Sequence, residues 1–79
     1  MVKIKGMSYN VMRKNIQEYI MFTLKKAGKE FKDIKVRKLV AEIKYDYGVG
    51  NLTVERIMEN LYELDMIELK GEILQLKIK

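Results

Sequence analysis

The feature that most constrains this chain is a change of hydrophobic period near residue 65. Upstream, apolar residues recur with the 3.6-residue period of helices; downstream they alternate with polar ones. Between Gly6 and Gly28, Met12, Ile16, Ile20 and Leu24 recur at helical spacing beside Tyr19, Thr23 and Ala27. They predict a first helix that Ser8 or Asn10 caps and that Gly28, in a left-handed conformation, ends. Val36, Leu39, Val40 and Ile43 predict a second helix, which starts either at an Asp33 cap or out of a short extended segment from Phe31 to Ile34. Asp46 to Gly50 reads as a turn. Val54, Ile57, Met58 and Leu61 then predict a third helix from Asn51 to Leu64.

Beyond Asp65, Ile67 and Leu69 alternate with Glu68 and Lys70, and Leu74, Leu76 and Ile78 with Gln75, Lys77 and Lys79. Gly71 between these runs predicts a hairpin whose apolar side covers the helices. Ile73 is out of phase and reads as a bulge or a looser turn. The expected fold class is mainly α with a small β-hairpin, as one domain over residues 1–79. Residues 1–7 alternate Val2 and Ile4 with Lys3 and Lys5, as either a strand or a basic arm.

A domain of 79 residues buries too little to build a deep cleft. Neither Cys nor His occurs, which removes thiolate nucleophiles, imidazole bases and the usual zinc ligands. No phosphate-loop or dinucleotide fingerprint is present. A binding role, without metal or cofactor, is expected over an enzymatic one. No apolar run approaches a membrane span, and no secretory pattern opens the chain, so a soluble cytoplasmic protein is expected.

Charge is unevenly placed. Residues 1–44 sum to +8 and residues 45–79 to −3, which together make the net +5. A basic first half suits phosphate or an acidic protein partner. Thirteen of its sixteen cations being lysine, the chain offers mainly point charges, not the bidentate forks of arginine.

From Val36 to Leu76 the sequence resembles the winged helix-turn-helix domains of bacterial and archaeal regulators. The resemblance is carried by Leu39-Val40-Ala41 in the second helix, by Val49-Gly50-Asn51-Leu52-Thr53-Val54 entering the third, and by Leu64-Asp65-Met66-Ile67 leaving it. It implies a three-helix bundle with a C-terminal wing that binds double-stranded DNA, as a transcriptional regulator or architectural binder. The third helix would then lie in the major groove. Lys35, Arg37 and Lys38 would grip the backbone, Asn51, Thr53, Arg56 and Asn60 would read bases, and Lys70 would serve from the wing. Taken singly, each residue also has an ordinary role: Asn51 as a cap, Thr53 in first-turn packing, the lysines as solvated surface.

The chain departs from the family pattern in three places. Gly50 replaces the usual capping Ser. Asp65 replaces a Gly at the third helix's exit, in a left-handed conformation that Asp tolerates. The third helix carries Glu55, Glu59 and Glu63 with Arg56 as its only cation, which favours an alternative role as a protein-interaction module meeting a basic partner. Val11, Met21 and Phe22 fall off the main stripe of the first helix and predict a homodimer contact.

Overall fold

The computed structural model describes residues 9–77. Within them the chain runs α1 (Tyr9–Lys29), β1 (Ile34–Lys35), α2 (Val36–Tyr47), α3 (Asn51–Glu63), β2 (Ile67–Lys70) and β3 (Ile73–Leu76). It is mainly helical, with a small antiparallel sheet ordered β1-β3-β2. Residues 1–7, expected as strand or arm, lie outside the described part.

The periodic positions form the core. Ile16, Ile20 and Leu24 of α1 meet Leu39 and Ile43 of α2, and Val54, Ile57, Met58 and Leu61 of α3; Ile67 and Leu74 close it from the sheet. All are almost completely buried. Met12, Val36 and Val40 pack half-buried around this cluster. The rings of Tyr19 and Tyr47 meet edge to face with centroids 6.0 Å apart, joining α1 to the end of α2.

Each helix ends through a left-handed residue, and only one of the three is glycine. Gly48 (φ 65°) follows α2, its N–H donating to the Lys44 carbonyl at 2.9 Å. Past α3, Asp65 (φ 62°) donates to the Tyr62 carbonyl and Met66 to that of Leu61, both at 3.0 Å. Past α1, Phe31 (φ 57°) donates to Gly28 at 3.3 Å and Lys32 to Ala27 at 2.9 Å. The last two are Schellman motifs, in which paired bonds satisfy the final carbonyls of the helix.

The expectation that Gly28 ends the first helix is therefore corrected. Gly28 lies within α1, and the left-handed position falls three residues later, on Phe31. What fixes the end is the pair of bonds back to Ala27 and Gly28, not the residue that adopts positive φ most easily.

Of the extended segment expected from Phe31 to Ile34, only Ile34 lies in a strand: Phe31 is left-handed, and β1 is Ile34–Lys35, pairing Ile34 with Leu74 and Lys35 with Ile73. Asp33 does not cap α2; the N-cap is Lys35, with no side-chain bond. Instead the Val36 N–H donates to the Glu72 carbonyl in the hairpin turn, at 2.9 Å. At the start of α3 the N-cap is Gly50, not Asn51. In the hairpin, Lys70 pairs with Ile73, leaving the two-residue turn Gly71-Glu72 with Gly71 at φ 63°. A tight turn of this kind sets the register directly. Ile73 is consequently a regular strand residue and not a bulge.

Candidate nucleic-acid interface

Register sorts the sheet into two faces, because side chains alternate along each strand and paired residues share a side. Ile34, Leu74 and Leu69 form one row, and Leu76 and Ile67 another on the same side. This side meets the helices through buried Leu74 and Ile67. The opposite side carries Gln75 with Glu68 and, nearer the turn, the row Lys35, Ile73, Lys70. Two residues far apart in sequence, one expected at the start of a helix and one in the wing, thus flank a single isoleucine. With strands about 4.8 Å apart, their backbones are about 10 Å from each other. Both lysines are exposed, and Lys70 approaches Glu68 at 4.0 Å.

The bond from Val36 to Glu72 places the first turn of α2 against the tip of this hairpin. Arg37 and Lys38 stand exposed in that turn, next to Lys35, and α2 has no acidic residue there. The N-terminus of a helix is the positive end of its dipole, where cations are disfavoured by about 0.3–1 kcal/mol each. Three cations gathered at such an end oppose folding slightly and favour any anion that approaches. The carboxylates of Glu68 and Glu72 also belong to this end, so the potential is tempered there.

On α3 the buried residues occupy one side, and Leu52, Arg56, Glu59 and Glu63 lie opposite at i, i+4, i+7 and i+11, all exposed. Arg56 is therefore in the outward stripe. Asn51 is exposed on one flank beside Glu55; Thr53 and Asn60 are half-buried on the other. The nucleic-acid candidates accordingly divide into two groups: Lys35, Arg37, Lys38 and Lys70 around the hairpin tip, and the mixed-charge surface of α3. Two exposed apolar residues join them without a sequence signal: Leu52, 61% exposed at the outward start of α3, and Tyr45, 89% exposed and in line with Lys38 and Ala41 on α2. Their hydrophobicity points to core, and only the position of the neighbouring helices shows otherwise.

Of the residues expected at a dimer contact, Val11 and Phe22 are exposed, at 49% and 67%, whereas Met21 is half-buried and packed against the core cluster. Among the described residues no group of acidic side chains is arranged to hold a metal ion, and no helix is long and apolar enough to cross a membrane. No protein-family model, curated protein or solved structure matches the chain.

Proposed function

We propose that this chain is a winged-helix DNA-binding protein that grips duplex DNA with the hairpin tip and the start of α2, and presents α3 to the major groove. The observation that carries this reading is the convergence of Lys35, Arg37, Lys38 and Lys70 on one end of the molecule, at the positive end of a helix without a first-turn acid. The order of three helices and a C-terminal hairpin, with a basic second helix, supports the winged-helix layout. On this reading the cluster engages phosphates, which sets affinity and orientation, while Arg56 and its neighbours supply what discrimination there is between sequences.

The test is a titration of duplex DNA at two salt concentrations. Replacing Lys35, Arg37 and Lys38 together by Ala should weaken binding to all sequences alike and reduce the salt dependence by about 0.9 log unit for each phosphate no longer neutralised. Arg56→Ala should cost about 1–3 kcal/mol on a preferred site only. Unchanged affinity and salt slope in the triple variant would overturn the proposal.

A second reading, as a module that binds a basic protein, is favoured by one feature: the outward stripe of α3 combines exposed Leu52 with Glu59 and Glu63. A partner that is released on charge reversal of Glu59 and Glu63, with duplex binding absent in the parent chain, would select it.

A further inference from the structure

The last turns of α1 carry a second basic surface, separate from the cluster at the hairpin tip. Phe22, Lys25 and Lys29 stand on the side of α1 opposite the buried Ile16, Ile20 and Leu24. Lys25 and Lys29 form a ridge between two grooves. On one side a shallow groove of about 260 Å³ is bounded by Phe22 and Lys26. On the other, a groove of about 590 Å³ runs between α1 and β3, with Leu24 and Ala27 among its lining and Phe31 and Lys32 contributing from beyond the helix end.

Two aromatic rings in this region lie open. Phe22 is 67% exposed and Phe31 95%. Phe31 also occupies a left-handed position that glycine fills with less strain, so neither packing nor the helix end accounts for a phenyl ring there. Around the rings stand Lys25, Lys26, Lys29 and Lys32, against three exposed carboxylates: Glu30, which Lys32 approaches at 3.4 Å, Asp33 in the lining of the larger groove, and Glu18 one turn before Phe22 on the same side of α1. Aromatic faces interleaved with lysines match a polyanion whose bases are unstacked. Duplex DNA would engage the lysines but keeps its base faces hidden, and an acidic peptide would leave the rings without a flat partner.

We propose that this surface binds single-stranded nucleic acid, with bases stacked on Phe22 and Phe31 and the backbone phosphates held by Lys25, Lys26 and Lys29. Base–aromatic stacking tolerates any sequence, and lysines following the backbone do the same. The site is independent of the duplex reading above, since it shares none of the residues assigned there.

The experiment measures binding of a fluorescein-labelled oligodeoxythymidylate of about ten nucleotides to the whole chain at low salt. Phe22→Ser and Phe31→Gly should each weaken it roughly tenfold. Phe31→Gly should at the same time raise the thermal midpoint, which separates weakened binding from weakened folding. Replacing Lys25 and Lys29 by Ala should lower the salt slope by about 0.7 log unit for each phosphate released. The Lys35, Arg37 and Lys38 triple variant should retain the oligonucleotide, and the Phe variants should retain duplex.

Four results would overturn the proposal. The parent chain does not bind the oligonucleotide; both Phe variants bind it as the parent does; it is displaced by vesicles containing anionic lipid that depend on the same rings; or Phe22→Ser converts a sedimenting dimer to a monomer. The third would assign the surface to a lipid interface and the fourth to a second copy of the chain.

Discussion

The ends of α1 and α3 are built on one hydrogen-bond pattern and finished with opposite chemistry. After α3 the left-handed position is Asp65, a residue that tolerates it, and the Asp65 carboxylate is held by Lys77 at 3.1 Å. The positions that pack together in this motif are there Leu61, buried, and Met66. After α1 the same positions are Ala27 and Lys32, and the left-handed residue is a solvent-exposed phenylalanine. The first end is finished in a way that serves stability; the second leaves stability unused and presents a ring and lysines to solvent. Identical backbone geometry therefore does not imply an identical role.

Leu61→Ala removes a fully buried side chain and should cost about 2–5 kcal/mol in urea denaturation. Ala27→Gly, at the matching position of α1, should cost only about 1 kcal/mol. Equal losses would mean the two ends share the load.

Phe31→Gly relieves about 1–2 kcal/mol of left-handed strain, of which about 0.5–1 is returned as chain entropy in the unfolded state. A net gain of about 0.5–1 kcal/mol should appear in the same assay. Gly28→Ala should add a similar gain, since a methyl group at Gly28 meets no atom within 4 Å and its φ is not positive. Asp65→Gly should gain less than Phe31→Gly, because it relieves a milder strain and removes the pairing with Lys77. That exposed pair is itself worth under about 1 kcal/mol.

The smallest effect expected is at alkaline pH. Burial raises the Tyr62 hydroxyl above the ordinary tyrosine value of 10.0. Tyr19 is raised first by burial and then by the carboxylates of Glu42 and Asp46, against a Thr23 hydrogen bond that lowers it. A proton held more tightly in the folded chain stabilises it fully below about pH 10 and ceases to do so as the pH climbs through the raised values. Stability should fall above about pH 10, and less steeply in Tyr19→Phe; a midpoint indifferent to pH in that range would contradict both assignments.

The helices and their buried faces are legible in the sequence because amphipathic spacing records which side meets the core: every residue of the α3 stripe formed by Val54, Ile57, Met58 and Leu61 is buried. The hairpin is legible from alternation, whereas the left-handed Asp65 is expected only through the resemblance, in which it stands at a glycine position. β1 is anticipated only at Ile34, the last residue of the expected extended segment, because two residues have no period and exist as a strand through their partners on β3. Gly28 misleads for a complementary reason: local propensity marks a stop, and the last carbonyls find partners three residues further on. In the candidate site, Lys35 and Lys70 are recognisable individually, whereas their alignment across Ile73 depends on a register that neither segment contains alone. Phe31 carries no signal of its own, since its exposure and backbone conformation are properties of the folded end of α1.

β3 is the strand on which both others depend, and it is also the last of the described elements to leave the ribosome. Until it emerges, β1 has no partner, Val36 has no carbonyl at Glu72, and Lys35 and Lys70 have nothing to align them. The helices form from contacts close in sequence, but the pairing of residues 34–35 with 73–74 closes a long loop and is entropically the slower event. The basic end of the molecule is thus assembled only once β3 has been made, and a nascent chain still lacking β3 carries the lysines of that cluster without their arrangement.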